Sequence, residues 1–479
     1  MKIAIAASEA APYIKTGGLG DVMQALPLAL SRLPKNEVSL FLPYYSAIKY
    51  SGKYETEFLG CFDVPLAWRR EYVGVMRLKT RRKKLKVYFI DNEHYFCRDG
   101  SIYGHGDDGE RFAYFSKAVL AAIKFVGLTP DVIHCNDWQT ALVPLLLKTE
   151  YAGALPNARS VLTIHNIEYQ GKCNLQFNYD VLGLPPQCDE ILRFDDCTNF
   201  LKAGIMTADR VNTVSRTYAE ELQYAYYAHG LADVLRSRGG AFSGITNGID
   251  TDLFDPAKST GMEAHYSAQT VREGKRENKL ALQRALGLPE DGEVAVLAVV
   301  SRLAGHKGLD LLCYIAERLM QRRIQLVVVG TGEEKYEWFL SGLAYRFPRQ
   351  VAAHLTFDAQ FANLVYAGAD VFLMPSKSEP CGLSQLIAMR FGSVPVVNAT
   401  GGLRDTVPPY DPASETGSGF TFQSYNADDF LAAIDRSLQM FYDEPEKWLR
   451  LQRADMAIDS SWAKPAAEYM NLYESAIKG

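Results

Sequence analysis

No two cysteines are spaced C-x-x-C. The eight present, Cys61, Cys97, Cys135, Cys173, Cys188, Cys197, Cys313 and Cys381, are scattered along the chain, which argues against a structural zinc site and suits a reducing cytosol. Basic charge is not in excess, since 51 Lys and Arg stand against 56 Asp and Glu for a formal net charge of −5. That disfavours nonspecific nucleic-acid binding and a membrane-surface role. A small anionic ligand is still allowed, because it needs only a local positive patch. No apolar run approaches the ~18 residues of a membrane-spanning helix. The apolar opening "MKIAIAA" stops at Ser8 and Glu9, short for a secretory h-region, and reads as a first β-strand. A cytoplasmic protein without membrane or nucleic-acid partners is expected. A dinucleotide fingerprint is missing as well. In "KTGGLGDV" the pair Gly18 and Gly20 is followed by Met23 where G-x-G-x-x-G needs glycine, and Lys15 precedes the glycines, unlike a Walker loop.

The chain of 479 residues is too long for a single core. Short apolar runs, among them "KIAIAA", "VSLFLP", "KVYFID", "DVIHC", "SVLTIHN" and "RVNTVS", alternate with amphipathic stretches. This predicts βαβ units and a parallel sheet. The basic cluster in "RLKTRRKKLKVYFI" reads as a solvated hairpin turn. The pattern breaks near "GITNGIDTDLFDP" and restarts with "VAVLAVVSRL", "IQLVVVGTG", "VFLMPS" and "VPVVNAT". The expected architecture is therefore α/β, with two Rossmann-like doubly wound domains, 1–247 and 256–455, facing a deep cleft at the carboxyl ends of both sheets. The segment 456–479 reads as a helix that packs back on the first domain.

Several stretches carry chemistry. In "KTGGLGDV" a strand, a glycine loop with Gly17 and Gly18, and a helix start form an anion-binding arrangement to which Lys15 adds a full charge. The same residues also suit a plain helix start with a surface lysine. Arg302 and Lys307 in "SRLAGHKG" follow a buried strand, where two cations can hold a diphosphate or remain solvated loop charges. Gly330 and Gly332 in "VVVGTGEE" form a loop suited to close approach. In "SKSEPCGLSQLIAMRFG", Pro380 sets a helix start. Cys381, Gly382 and Leu383 then offer unpaired amides, and Gly382 leaves room for a ligand. Glu379 can accept hydrogen bonds from sugar hydroxyls, or it is an inert helix-dipole carboxylate. Cys381 itself reads as a small buried thiol. His134, Asn136 and Asp137 end one strand and His165 and Asn166 the next, as structural polar residues or as a cleft lining. "DTD" at 250–252 looks like a metal-binding D-x-D, but it falls in the interdomain turn and no metal is assigned.

As a set, "KTGGLGDV", "HCNDWQTALVP", "TIHNIEYQG", "FLKAGIMTADRVNTVS", "GITNGIDTDLFDP", "SRLAGHKGLDLL", "YAGADVFLMPS", "EPCGLSQL" and "GGLRDTV" resemble the bacterial glycogen synthase and plant starch synthase family. The motifs occur in the family's order and span nearly the whole chain. The resemblance implies a GT-B glycosyltransferase that moves glucose from a nucleotide sugar, usually ADP-glucose in bacteria, to the non-reducing end of an α-1,4-glucan. It also implies that configuration is retained and that neither metal nor cofactor is needed. It implies that Lys15 and the Gly17–Gly18 amides contact donor phosphate and glucose, and that Arg302 and Lys307 hold the diphosphate. By the same resemblance, Glu379 and the Cys381–Gly382–Leu383 amides would bind glucose hydroxyls. The resemblance further implies that His165 sits beside the reacting sugar, that Asp137 and Asn247 line the pocket with Glu9 nearby, that Phe357 can stack on the base, and that Tyr95 lies on the acceptor side. The chain departs from the family pattern at His306, Lys377, Ser378, Arg216, Phe357 and the stretch 186–199. A sugar-nucleotide epimerase of similar architecture, or an inactive glucan- or nucleotide-binding homologue, are the alternative readings.

Overall fold

A computed structural model describes residues 1–356 and 358–479. The chain divides into two compact units, Met1–Asn247 with Trp462–Gly479, and Gly248–Ser461.

The first unit is built on β1 (Lys2–Ala6), β2 (Glu37–Pro43), β3 (Thr56–Leu66), β4 (Arg69–Leu78), β5 (Leu85–Asp91), β6 (Val132–Asn136), β7 (Arg159–Ile164), β8 (Lys172–Cys173), β9 (Arg193–Phe194), β10 (Cys197–Asn199), β11 (Arg210–Thr213) and β12 (Phe242–Gly244). The main sheet has the order β12-β11-β7-β6-β1-β2-β5-β4-β3, and β8, β10 and β9 form a small separate sheet that includes part of the atypical stretch 186–199. Pairing is parallel from β12 to β5. It turns antiparallel where β4 and β3 close the edge. The basic cluster is the exposed turn between β4 and β5. β3 has no counterpart among the runs read from sequence. It is an edge strand with most side chains at least partly exposed, so it lacks the continuous apolar run of a buried parallel strand.

The helix Ala463–Lys478 belongs to this unit. Its Tyr469 and Tyr473 are fully buried, Arg210 donates to the Ser475 carbonyl at 2.8 Å, and Arg216 pairs with Glu468 at 3.1 Å.

The second unit holds β13 (Ala295–Val300), β14 (Ile324–Val329), β15 (Val351–His354), β16 (Val371–Met374), β17 (Val394–Asn398) and β18 (Phe420–Phe422). These form one parallel sheet in the order β15-β14-β13-β16-β17-β18. Successive β13 residues alternate between two cores. Ala295, Leu297 and Val299 pack with Leu312, Ile315 and Leu340. Val296 and Ala298 pack with Val271, Leu282 and Val365. Both faces are covered by helices, as a buried parallel sheet requires.

This unit is wider at both ends than 256–455. Ile249 is buried in one core and its amide donates to the Ser460 carbonyl at 2.8 Å. The helix Pro445–Ala457 sends Trp448 and Leu451 into one core and Leu449 and Met456 into the other. The terminal helix therefore begins at Ala463, not at 456.

Each sheet reverses its winding once. In the first unit the chain runs outward from β1 through β2 to the far edge, then returns to add β6 beside β1. In the second it runs from β13 to β15 and returns to add β16 beside β13. Loops leaving neighbouring strands diverge at such points, which makes them the natural ligand sites of doubly wound sheets.

Candidate functional site

The first switch point gathers the loops after β1, β6 and β7. Glu9 is buried, and its Oε2 accepts from the Thr16 amide at 2.5 Å and the Thr16 hydroxyl at 2.8 Å. That fixes the backbone immediately before the glycines. The helix Gly18–Arg32 follows, and the Gly17 and Gly18 amides have no partner among the described residues. Gly20 explains the third glycine of the stretch. A Cβ there would sit 2.8 Å from Lys15 Cγ, so the lysine stem lies across it. Lys15 Nζ then reaches Asp21 at 2.7 Å. Burial raises the Glu9 and Asp21 carboxyls above the usual carboxylate range.

Asp137, just past β6, has φ 56° and ψ −175°. That region is close to glycine-only, and such strain concentrates at functional sites. Its Oδ1 accepts from the His165 amide at 2.6 Å and the Asn166 amide at 3.2 Å, so it ties the loop after β7 to the loop after β6. Burial, with Glu9 adding to it, raises its carboxyl to about 7. His165 Nε2 lies 3.0 Å from Asn136 Oδ1, while Asn136 Nδ2 donates to the Ala6 carbonyl at 3.1 Å. The Asn136 oxygen only accepts, so His165 carries its proton on Nε2 and leaves Nδ1 as a bare acceptor. Burial lowers this imidazole to about 3, so the ring is neutral at physiological pH. Asn247 is buried, and its Oδ1 has no partner among the described residues.

One expectation fails in this unit. Tyr95 is 0% exposed and its hydroxyl donates to Glu110 at 2.7 Å. It is a core residue and presents nothing to an acceptor. His134 is likewise structural. Its Nε2 lies 2.6 Å from Thr163 Oγ1, which itself donates to Asn212 Oδ1 at 2.7 Å, and its Nδ1 lies 2.9 Å from the Tyr473 hydroxyl.

The second switch point gathers the loops after β13, β14 and β16. Lys307 Nζ meets both Glu379 oxygens, at 3.0 and 2.8 Å. Ser376 donates to the same carboxylate at 2.9 Å. Glu379 is therefore 6% exposed and held by a cation rather than lying open at a helix mouth. Arg302 is exposed, and its guanidinium has no partner among the described residues. Glu333, which was not anticipated, braces the cationic loop by accepting from the Gly305 amide at 2.7 Å.

Gly330 and Gly332 need another explanation than room for a ligand. A Cβ at Gly330 would stand 1.9 Å from the Ser301 carbonyl oxygen, and one at Gly332 would stand 2.3 Å from that of Leu303. Their amides are already taken, by His354 O at 3.1 Å and Glu337 Oε1 at 2.7 Å. They let two loops cross.

The helix after Pro380 starts at Ser384, not at the proline, because Gly382 at φ 73° breaks the helical run. The space beside Gly382 is filled by Gln385, whose Oε1 lies 2.4 Å from where a Cβ would stand. The Gly382 and Leu383 amides have no partner among the described residues, and Cys381 is buried. Asp250 turns its Oδ1 onto the Asp252 and Leu253 amides, at 3.0 and 3.2 Å, and so caps its own turn. Phe357 lies outside the described residues. No described helix is long and apolar enough to cross a membrane.

Two Rossmann-like units with charged and amide-bearing loops at their switch points define a GT-B glycosyltransferase. Residues 2–237 match the family described as "Starch synthase catalytic domain", and residues 283–450 match "Glycosyl transferases group 1". The glycogen synthase of Exiguobacterium sibiricum is 45% identical over 99% of this chain and 98% of its own length. That of Clostridium perfringens is 44% identical over 100% and 99%. The catalytic domain of starch synthase IV from Arabidopsis thaliana, solved with ADP and acarbose, superposes with a TM-score of 0.92 at 34% identity, covering 100% of this chain and 99% of that one. The chain belongs to the glycogen synthase and starch synthase family.

Proposed function

We propose that this chain transfers glucose from ADP-glucose to the non-reducing 4-hydroxyl of an α-1,4-glucan, with retention and without a metal. The observation that carries the reading is the second switch point, where the Lys307–Glu379 pair lies on strand ends adjoining Arg302 and the Gly382 and Leu383 amides, which have no partner among the described residues. The relative from Arabidopsis, solved with ADP and acarbose, supports a nucleotide and a glucan as ligands.

Breaking the C1–O bond puts negative charge on the departing diphosphate while the sugar becomes oxocarbenium-like. Arg302 and Lys307 take up that charge, and Lys15 with the Gly17–Gly18 amides contacts donor phosphate and glucose. Donors aimed in advance at developing charge lower a barrier by about 3 kcal/mol each. Glu379 orients Lys307 and accepts from glucose hydroxyls on the lone pairs that Lys307 and Ser376 leave. His165, neutral and with Nδ1 bare, accepts a sugar hydroxyl, and Asn247 Oδ1 accepts another. Asp137 holds the loops that carry His165 and Asn166. Acceptor attack proceeds on the face the diphosphate leaves, with the departing phosphate taking the acceptor proton.

The test is one assay with purified protein, glycogen and EDTA, and ADP-glucose or UDP-glucose in separate tubes. Glucan growth with ADP-glucose alone is expected. Growth with UDP-glucose alone overturns the donor, and activity that chelator abolishes and a divalent ion restores overturns the metal-free route.

A further inference from the structure

We infer that Gln385 is a positioning residue for the donor sugar, acting through the backbone of the 381–383 loop. Gln385 is fully buried. Its Nε2 donates to the Cys381 carbonyl, the Gly382 carbonyl and Thr406 Oγ1, each at 3.0 Å. Thr406 in turn donates to the Gly402 carbonyl at 2.6 Å, and the Gly402 amide donates to the Glu379 carbonyl at 3.0 Å. The loop that begins at Glu379 is thus held at several backbone oxygens by one buried side chain and one neighbouring helix.

The consequence follows from the peptide group itself. A trans peptide is planar, so the carbonyl of one residue and the amide of the next point in opposite directions. Turning the Cys381 carbonyl inward onto Gln385 turns the Gly382 N–H outward. Turning the Gly382 carbonyl inward does the same for the Leu383 N–H. These two amides are partnerless among the described residues. Successive outward N–H groups around a left-handed residue form a concave donor set for anionic or strongly accepting ligands, and Gly382 supplies that residue at φ 73°. Two hydrogens shared among three acceptors leave no slack in the clamp. Gln385 Oε1 is buried and has no partner among the described residues, an arrangement that costs free energy and follows from Nε2 facing the carbonyls. Gly382 is required here less for a ligand than for this amide, which fills the space a side chain would take.

The inference rests on reading the second switch point as the donor site. Its test compares wild type, Gln385→Leu and Gln385→Glu, in turnover and in calorimetric binding of ADP-glucose. Gln385→Leu should weaken ADP-glucose binding and raise the donor KM by about tenfold, the effect of one lost oriented hydrogen bond, with the glycogen KM unchanged. Gln385→Glu has one O–H, and only while its carboxyl is protonated, so it can hold one of the two carbonyls at most; burial against carbonyls raises that carboxyl. Its donor KM should lie between wild type and Gln385→Leu at pH 5.5 and worsen by pH 8, a dependence wild type lacks. Should Gln385→Leu fail to fold, the two pH values of Gln385→Glu carry the comparison within one folded chain. Donor binding equal to wild type, equal losses for donor and glycogen, or a pH profile parallel to wild type overturns the role. A wild type that binds ADP-glucose without transferring glucose sinks the functional reading alone, and a wild type that does not bind it sinks both.

Discussion

The two switch points are opposites in charge. The first holds Glu9, Asp21 and Asp137 against one cation, Lys15, and burial raises all three carboxyls. The second sets Arg302 and Lys307 against the Glu379 carboxylate, while Glu333 and Glu337 are spent on the Gly305 and Gly332 amides of its loops. Acceptors and bare lone pairs dominate the first, which suits sugar hydroxyls. Cations and open amides dominate the second, which suits a diphosphate. The same topology serves different chemistry because each loop is free to choose its own residues.

The sharpest way to break this contrast is Lys307→Ala. Turnover should fall by about 10²–10³-fold, with glycogen binding nearly unchanged. Stability of the second unit should also fall by about 3 kcal/mol, because Glu379 stays buried without its cation. Adding Glu379→Gln should restore much of the stability and none of the turnover, measured by thermal melting beside initial rates. Equal losses of turnover and glycogen affinity would remove Lys307 from the diphosphate role.

Arg302→Ala separates function from packing. The side chain is exposed and its guanidinium partnerless among the described residues, so the melting temperature should move by no more than about 1 °C. The kcat/KM for ADP-glucose should fall by about 10–100-fold, the worth of hydrogen bonds to a charged group. An unchanged kcat/KM would reduce Arg302 to a solvated loop charge.

What the sequence shows of these sites depends on how local the cause is. Lys15, Gly17 and Gly18 are legible because strand, glycine loop and helix adjoin in the chain. Arg302 and Lys307 are legible because they follow a continuous apolar run. Gln385 is not, since a glutamine four residues past Cys381 gains meaning only when Gly382 turns left-handed and brings two carbonyls onto it. Gly330 and Gly332 mislead for the same reason, because the backbone they make room for comes from Ser301 and Leu303. Tyr95, placed on the acceptor side by resemblance alone, is instead fully buried with its hydroxyl on Glu110. His134 is farthest from local, since its partner Tyr473 lies 339 residues away.

Asp137→Asn tests whether the first switch point stores strain for function. The folded carboxyl is raised to about 7 from its ordinary 3.8. Between these values the folded chain holds a proton that the unfolded chain releases, so wild-type stability falls as pH rises through that window and stays low above it. Asparagine keeps the acceptor for the His165 and Asn166 amides, tolerates positive φ and does not titrate. The variant should therefore melt several degrees above wild type at pH 8, with the gap closing toward pH 4, while turnover falls. A gap independent of pH would mean that the carboxyl is not raised.

The smallest effect belongs to the C-terminal helix. Thr163 Oγ1 spends its hydrogen on Asn212 Oδ1, so it accepts from His134 Nε2–H, and the Tyr473 hydroxyl must donate to Nδ1. Burial lowers His134 to about 3, consistent with that neutral tautomer. Asn212 Nδ2 completes the chain by donating to the Tyr469 hydroxyl at 3.3 Å. Tyr473→Phe keeps the ring and leaves one buried nitrogen without a donor, which costs about 1 kcal/mol and lowers the melting temperature of the first unit by about 2–4 °C. Turnover well below that temperature should match wild type, because the network stops at strand interiors two residues short of Asn136 and His165. An unchanged melting temperature would dissolve the network as a source of stability. A loss of turnover as large as that of Arg302→Ala would make the helix part of the site, and the contrast between structural His134 and functional His165 would fail.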